Sequence, residues 1–269
     1  LVLCPVLVFG VGSFPGWGVA GAATSTLVAN GVAGVGMAAA AGQPGGPLPL
    51  FGSRWVPQWE LVKRLMRVGL PAAMNPLLSN ASIALSTRWM AAYGAPAVAA
   101  YGIAARLEYI LVPIAFGVGS ALTAMVATNM GAREYARAKR VTWLGASLVF
   151  AVTGAIGLAA ALWPQAWMAL FTADPAIRAI GVVYLRIVGA SYAFFGLGLA
   201  LFFASQGAGR LFWALASSAT RLAVVAVGGW CVVAWAQAPM QALFLVVAAS
   251  FACFGVALAT ATHRSDWTT

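Results

Sequence analysis

Stretches of twenty or more apolar residues recur along the chain, separated by short loops that are alternately basic and poor in charge. A helix crosses the bilayer's hydrocarbon core of about 30 Å with roughly 20 residues. The predicted spans are 17–41, 68–93, 97–127, 141–163, 178–205, 211–235 and 240–262, and residues 1–12 look like the end of one more. Hydrocarbon offers the backbone no hydrogen-bond partner, so each span must be helical. The predicted fold class is an all-α polytopic membrane protein.

Composition supports this prediction. Only 7% of the residues are charged and 62% are hydrophobic, and the mean hydropathy is +0.92. A soluble fold of 269 residues needs far more polar surface to stay dissolved. The chain begins inside an apolar run without a Met, and its first dozen residues lack the features of a signal peptide. We therefore expect it to be part of a longer sequence.

The basic residues predict the orientation. Ten of the fifteen Lys and Arg residues fall on one side of the predicted spans, whereas the opposite loops hold at most Arg178. The ten are Arg54, Lys63, Arg64, Arg67, Arg133, Arg137, Lys139, Arg140, Arg210 and Arg264. Basic loops face the cytoplasm, so the C-terminus is predicted to be cytoplasmic. The net charge of +10 indicates topology rather than nucleic-acid binding, because the basic residues lie in short loops between spans.

The composition changes between residues 42 and 67. The Gly- and Pro-rich run 42–47 cannot continue a helix. Residues 58–68 follow the pattern of a short amphipathic helix that lies in the cytoplasmic headgroup plane, with apolar and basic side chains on opposite faces. The predicted organisation is an end of one bundle at 1–41, a cytoplasmic linker at 42–67, a six-helix bundle at 68–262 and a cytoplasmic tail at 263–269.

Five ionisable residues fall within predicted spans, namely Arg88, Arg106, Glu108, Arg186 and Arg221. Each costs about 2.5–3.5 kcal/mol at the bilayer centre, so each needs a reason to be there. Arg88 and Arg186 lie near enough to the outer ends of their helices for their long side chains to snorkel to the interface. The other three lie deeper, and they are the candidates for ion coupling or for lining a cavity.

Glu108 is the only deep acid. Arg106 is two residues away on the same helix and points in nearly the opposite direction, so Arg221 is the better partner. One interpretation is a buried Glu–Arg pair that fixes helix packing. The other is a carboxylate that lines a water-filled path and takes up a proton or cation during transport. Burial favours the neutral acid and a nearby arginine favours the charged form, so the sequence leaves the choice open.

A polar stripe marks the span at 68–93. Asn75, Ser79, Ser82 and Ser86 recur at spacings of four, three and four residues, which places them on one helical face. Small polar side chains let helices approach closely, so the stripe is one candidate for helix–helix contact. It could equally line an aqueous cavity, and Pro76 within the stripe, which frees a backbone carbonyl, tilts the choice towards the cavity.

The sequence offers little for enzyme chemistry. It has one histidine, and its three cysteines lie in apolar surroundings without paired spacing, which predicts inert thiols and no metal site. It has no phosphate-binding Gly-Lys-Ser/Thr loop, and no segment is large or polar enough for a nucleotide-binding domain. If the protein is a transporter, it must draw its energy from an ion gradient, because the sequence has no domain that could use ATP. It would need no cofactor other than the transported ion.

Several short motifs, in their order and spacing, resemble the multidrug and toxic compound extrusion (MATE) family. They are Gly69-Leu70-Pro71, Ala100-Tyr101-Gly102-Ile103 with Arg106, Asn129-Met130-Gly131-Ala132 with Arg137-Ala138, Tyr184-Leu185-Arg186-Ile187 and the run from Phe203 to Gly209. Residues 1–41 look like the family's fifth and sixth helices. The resemblance implies a monomeric exporter of the bacterial inner membrane, with two six-helix lobes around a central cavity. Residues 1–41 would then end the N-lobe, and residues 68–262 would form the C-lobe.

The resemblance also implies exchange of H⁺ or Na⁺ for a small, cationic amphipathic substrate. Na⁺-coupled members carry a Glu on helix 7 and an Asp on helix 10, and the corresponding positions here fall at Ser79 and near Phe195, neither of which is acidic. We therefore expect ion coupling mainly in the N-lobe, with Glu108 as the candidate acid in view. The alternative is a flippase for lipid-linked saccharides or peptidoglycan precursors, since the deep Arg106 and Arg221 would suit anionic pyrophosphate headgroups.

Overall fold

The computed structural model describes residues 3–11, 14–41, 59–235 and 237–265. They belong to two compact units, Leu1–Trp59 and Glu60–Thr269. Residues 42–58 of the predicted linker, with Arg54, and the last four residues of the predicted tail lie outside the described residues. The predicted domain boundaries therefore stay predictions.

Helices make up almost all of the described chain, which confirms the all-α prediction. In chain order they are α1 (Leu3–Phe9), α2 (Gly18–Ala41), α3 (Trp59–Ala91), α4 (Ala95–Gly131), α5 (Tyr135–Leu162), α6 (Pro164–Ala169), α7 (Pro175–Val188), α8 (Tyr192–Gly207), α9 (Phe212–Trp230) and α10 (Met240–Arg264). A 3₁₀ turn at Gly189–Ser191 joins α7 to α8, and a π-helical turn at Cys231–Trp235 extends α9. Most of the observed helices agree with the predicted spans to within a few residues. Helix α5 begins at Tyr135 and not at 141, the 3₁₀ turn divides the predicted span 178–205 into two helices, and two further differences are described next.

In the first unit, the prediction that residues 1–12 end a helical span needs correction. Helix α1 ends at Phe9, because Gly10 takes a φ of 80° and leaves the helix. Two short segments, Gly10–Val11 and Phe14–Pro15, then pair as the antiparallel strands β1 and β2. The Trp17 amide donates to the Leu7 carbonyl at 2.8 Å, which fixes the start of α2 against α1.

The second correction concerns α3. The described chain has six helical segments long and apolar enough to cross a membrane, and α3 is not among them, although the predicted span 68–93 lies mostly within it. Helix α3 is long enough, but its charged first turns and its polar stripe lower its hydropathy. The predicted amphipathic segment 58–68 is also no separate helix, because α3 runs without a break from Trp59 to Ala91.

Helices α5, α8 and α10 pack closely through glycines. A Cβ added at Gly157 would meet the carbonyl oxygen of Gly189, and one added at Gly196 would meet the side chain of Thr153. On the α10 side, the ring of Phe254 fills the space beside Gly198. Absent side chains let these backbones approach, which is how helices associate in a solvent as apolar as themselves.

Helix α3 is held differently. Its backbone stays farther from its neighbours than the backbones of the other helices of this unit do, and side chains bridge the gap. The Ser218 hydroxyl on α9 donates to Asn75 Oδ1 at 2.6 Å, and the Trp89 indole lies against Gly229. The Tyr93 hydroxyl, in the turn after α3, donates to the Ala238 carbonyl at 2.8 Å. These bridges leave a hollow between α3 and the rest of the bundle.

Candidate functional site

A cavity of about 540 Å³ lies between α3, α4, α8 and α9. Its polar lining consists of Asn75, Ser79, Asn80, Glu108, Gln206 and Arg221. Its aromatic lining consists of Tyr109, Phe116, Phe195, Phe202 and Phe203. A few polar groups on a mostly apolar wall are typical of a small-molecule site, and the volume falls within the usual range of such sites.

Glu108 projects from the middle of α4 and is buried at the wall of this cavity. The Tyr184 hydroxyl on α7 donates to Glu108 Oε1 at 3.3 Å. The Tyr184 ring is itself fixed, because it packs edge-on against Tyr101 at 5.6 Å and against Phe244 at 5.2 Å between ring centroids. The apolar core therefore presents a hydroxyl to a carboxylate that also borders the cavity.

Arg221 projects from α9 and is also buried at the cavity wall. Its guanidinium carbon lies 4.6 Å from the centroid of the Phe251 ring and 5.1 Å from that of Phe195, so two aromatic faces stabilise its charge. Its Nε–H is enclosed and has no acceptor among the described residues. The structure therefore holds a buried cation beside the hollow with hydrogen-bonding capacity left over.

The structure brings Glu108 and Arg221 to the same cavity, and the two charges are near enough to act on each other. Within the described part of the chain, no nitrogen of Arg221 comes within 4.0 Å of a Glu108 oxygen, so the two do not form a direct ion pair. A closed Glu–Arg pair would have left neither group open to a ligand. The structure therefore shows no closed ion pair between them, and both groups border the cavity.

The structure does not bring Arg106 to this cavity. Arg106 is exposed, and its guanidinium carbon lies 5.0 Å from the centroid of the Phe171 ring, in the segment after α6. Residues two positions apart on a helix point in nearly opposite directions, so α4 cannot present both Arg106 and Glu108 to one hollow. Of the three deep ionisable residues, two share the cavity and the third lies on another face.

The polar stripe on α3 divides between the two roles considered for it. Asn75 and Ser79 line the cavity, and Asn75 also accepts the hydrogen bond from Ser218. Ser82 and Ser86 are buried farther along the helix and do not line the cavity. The Ser82 hydroxyl donates to the Leu78 carbonyl at 2.9 Å within α3. The first half of the stripe therefore faces the hollow, and the second half faces packed neighbours.

Sequence reasoning did not single out Tyr184, Gln206 or the aromatic wall as parts of a site. A signal for the wall exists, since Phe195, Phe202 and Gln206 are spaced seven and four residues apart and so share a face of α8. Tyr184 carries no such signal. Its phenol looks like any other aromatic of an apolar span until the fold places it beside an acid.

Comparisons with known proteins agree with this architecture. The family described as MatE matches residues 71–231, which is more than half of the chain. The chain is 29% identical over 207 residues to the probable multidrug resistance protein NorM of Thermotoga maritima, a match that covers 76% of the chain and 44% of that protein. It is 26% identical over 219 residues to an FAD transporter of Shewanella oneidensis, covering 76% and 45%. The chain thus spans about half the length of the curated relatives it matches.

The fold also matches solved structures. A crystal structure of a single-site mutant of the Vibrio cholerae MATE transporter VcmN superposes with a TM-score of 0.84 at 22% identity, over 100% of this chain and 60% of that one. At that identity the likeness shows a shared fold. Together with the family match, it confirms the resemblance that the motifs indicate. The chain therefore belongs to the MatE family, whose members are transporters and not enzymes.

Proposed function

We propose that the protein exports small molecules in exchange for a cation, H⁺ or Na⁺, by alternating access of two lobes, with residues 68–262 as one lobe. The observation that carries the proposal is the buried carboxylate of Glu108 at the wall of a cavity of about 540 Å³. An intramembrane acid beside a hollow is costly to keep and is typical of ion pathways in transporters. The relatives named above, a multidrug resistance protein and an FAD transporter, favour a small-molecule exporter over the flippase alternative.

The proposed exchange works through the charge of Glu108. When the carboxylate is free it offers a negative charge to the cavity, and when it holds a proton or a metal cation that charge is neutralised. A cationic amphipathic substrate, as expected from the resemblance, would have this carboxylate as its counter-charge. Substrate and coupling ion then compete for one group, so that binding of the ion promotes release of the substrate. The aromatic wall supplies the apolar contact.

Four groups act on Glu108 and set how it responds to its surroundings. Tyr184 donates a hydrogen bond, Arg221 contributes a positive charge, and Tyr101 and Tyr192 lie within electrostatic reach. The four come from different helices, namely α7, α9, α4 and α8. A movement of α9 relative to α4 would change the distance between the two charges. The affinity of Glu108 for a cation would change with it, as alternating access needs.

The six apolar helices and the bacterial relatives support a multi-pass protein of the inner membrane. We further propose that the C-terminus is cytoplasmic and that the protein works as a monomer with no cofactor besides the transported ion. In support of the orientation, Lys139 Nζ in the first turns of α5 donates to the His263 carbonyl at 3.1 Å, so the basic start of α5 and the end of α10 lie at the same end of the bundle. If a cysteine introduced at Ser265 is labelled only in inside-out vesicles, the result would support a cytoplasmic C-terminus.

The oligomeric state is measured separately by light scattering in detergent, and we expect the mass of a monomer.

The transport proposal is tested with the native protein in proteoliposomes. Export of a fluorescent cationic dye is followed under an imposed H⁺ gradient and, separately, under an imposed Na⁺ gradient. We expect one gradient to drive export, and Glu108→Gln to lower the gradient-driven rate at least about fivefold, the size of an ordinary coupling energy. Gln keeps the shape of the side chain and loses the site that a cation binds.

The matched control is Glu134→Gln, the same change at an exposed acid before α5. This variant should export at the native rate. Equal export by Glu108→Gln and by the native protein under both gradients, at equal expression, would overturn the role of Glu108. Dye movement that neither gradient drives would overturn the antiport proposal itself.

A further inference from the structure

The charge of Arg221 is only partly satisfied by the protein's own groups. The guanidinium has five N–H donors and no acceptor. Its Nε–H is enclosed without a partner, and among the residues that the structure describes its other nitrogens make no hydrogen bond to a protein acceptor. Its neighbours are the faces of Phe195 and Phe251, which stabilise a cation but accept no conventional hydrogen bond. A buried cation with free donors therefore lies at the cavity wall.

Glu108 does not supply an acceptor for the free N–H donors of Arg221. Its carboxylate acts on Arg221 through space, but the hydrogen bond that it accepts comes from Tyr184 and not from Arg221. The other groups that act on Arg221 are the Tyr101 and Tyr184 hydroxyls, which are neutral at ordinary pH. A guanidinium whose donors lack acceptors is costly inside a membrane. The enclosed Nε–H is out of reach of the cavity, so a group that enters the cavity would accept from the terminal nitrogens of Arg221.

We infer that Arg221 is a specificity-determining residue that binds an anionic oxygen group, a carboxylate or a phosphate, on a flat aromatic substrate. The inference rests on the proposed function, since it assigns a substrate class to the cavity of the exporter. It widens the expected substrates beyond pure cations, because a molecule with only a cationic group would leave the Arg221 donors unsatisfied. The planar fork of a guanidinium matches the geometry of carboxylate and phosphate oxygens.

The cavity wall adds the second half of this specificity. Phe195 packs against the guanidinium and also lines the cavity, so a ring lying on the exposed part of Phe195 would place an attached anionic group near Arg221. Phe202 and Phe203 continue the aromatic surface along α8. Flat rings bind such surfaces by offset or edge-on stacking. The wall therefore selects an aromatic body, and Arg221 selects the charge that the body carries.

The test compares four probes that share one ring system and differ in charge: 2-naphthoate, 2-naphthyl phosphate, 2-naphthylmethanol and 2-naphthylmethylammonium. Their binding to the native protein in detergent is measured by calorimetry. We expect naphthoate, naphthyl phosphate or both to bind roughly tenfold to 100-fold more tightly than the neutral alcohol, the usual effect of hydrogen bonds to a charged group. The naphthoate and phosphate arms separate the two sources of anionic oxygen.

Arg221→Gln should abolish the preference for the anionic probe while still binding the alcohol, and Arg221→Lys should keep only part of the preference, because it retains the charge without the planar fork. The matched control is Arg106→Gln, which removes an arginine of similar predicted depth that lies outside the cavity and should leave the preference unchanged. If Arg221→Gln fails to fold, the comparison of probes on the native protein still decides the matter.

Equal binding of anionic and neutral probes by the native protein would overturn the inference, and so would a preference that survives Arg221→Gln. If cationic dye is meanwhile exported under an ion gradient, the proposed function stands and the anion site alone fails. If the preference depends on Arg221 but no gradient drives export, the anion site stands and the antiport proposal fails.

Discussion

Helices α8 and α3 belong to the same unit and are held in it by opposite means. Most of the apolar segment that contains α8 is buried, and glycines on α8 and its neighbours bring the backbones together. Helix α3 stands farther from its neighbours and is connected by Asn75, Trp89 and Tyr93. The close packing around α8 leaves no space for a ligand, whereas the wider spacing of α3 leaves such a space between the helices.

The contrast explains where polarity is tolerated. Between α5, α8 and α10 the close packing leaves polar groups little choice of partner, since the buried Thr153 donates to the Val149 carbonyl of its own helix at 2.7 Å and the enclosed Tyr192 hydroxyl has no partner among the described residues. Around the hollow beside α3, an acid, an arginine and three amides line the same cavity. We call the close packing between α5, α8 and α10 the dry seam. It stabilises the bundle, whereas the looser spacing of α3 leaves the candidate site. The variants below test whether the two regions differ in this way in their contribution to stability.

The largest expected effect is Phe254→Ala in the dry seam. Phe254 is buried against Gly198, so its loss leaves a void that the rigid seam cannot fill. We expect a loss of about 3 kcal/mol in the free energy of unfolding, measured by SDS-induced unfolding in detergent. The matched change is Phe116→Ala at the cavity. There the ring is largely exposed, so its loss should lower the free energy of unfolding by about 1 kcal/mol or less. Similar losses at both positions would remove the distinction between the regions.

Gly157→Ala should have the next largest effect. The added methyl group would meet the carbonyl oxygen of Gly189 and the Cβ of Tyr192, and a backbone carbonyl cannot move aside as a flexible side chain can. Overpacking of this kind costs about 1–3 kcal/mol, measured in the same assay. The control is Gly102→Ala on α4, where the added methyl group meets nothing within 4 Å and should leave stability equal or slightly higher. A tolerated Gly157→Ala would mean that α5 and α8 can separate without cost.

Much of the fold was predictable from hydropathy. Helices α4 and α10, and α9 together with its π-helical turn, begin and end within a few residues of the predicted spans, because a continuous apolar run of sufficient length has no other stable form in a bilayer. Helix α3 was the exception. The polar residues that line the cavity lower the hydropathy of α3, so they also weaken its signal as a membrane span.

The candidate site was predictable only in part. Depth within a span identified Glu108 and Arg221, and the direction of side chains on a helix already separated Glu108 from Arg106. The contribution of Tyr184 depends on a contact between α7 and α4 that spans 76 residues of sequence. Contacts of that range follow from tertiary packing, and no local periodicity reports them.

Ser218→Ala tests the bridge that holds α3. The hydroxyl donates to Asn75 Oδ1 across the gap, and its loss leaves a buried amide oxygen without its donor. We expect a loss of about 1 kcal/mol, at the low end for a buried acceptor because Asn75 borders the cavity. Amide hydrogen exchange in α3 should become faster while that in α8 stays the same. Ser147→Ala, at an exposed hydroxyl bonded only within α5, is the control. Unchanged exchange in α3 would show that other contacts position it.

The smallest effect is expected for Tyr93→Phe, which removes the bridge from the turn after α3 to the Ala238 carbonyl. We expect a loss of about 1 kcal/mol or less, because water can reach this turn. Burial raises the pKa of Tyr93 above 10.0, so the bridge stabilises the fold fully below pH 10 and less as the pH rises through the folded-state pKa. The difference in Tm between the native protein and the variant should therefore be constant from pH 7 to 9 and shrink above pH 10. Tyr135→Phe, whose hydroxyl makes no hydrogen bond within the described residues, should show no such difference. A gap between native protein and Tyr93→Phe that persists undiminished at pH 11 would mean that the ring, and not the hydroxyl, holds this end of α3.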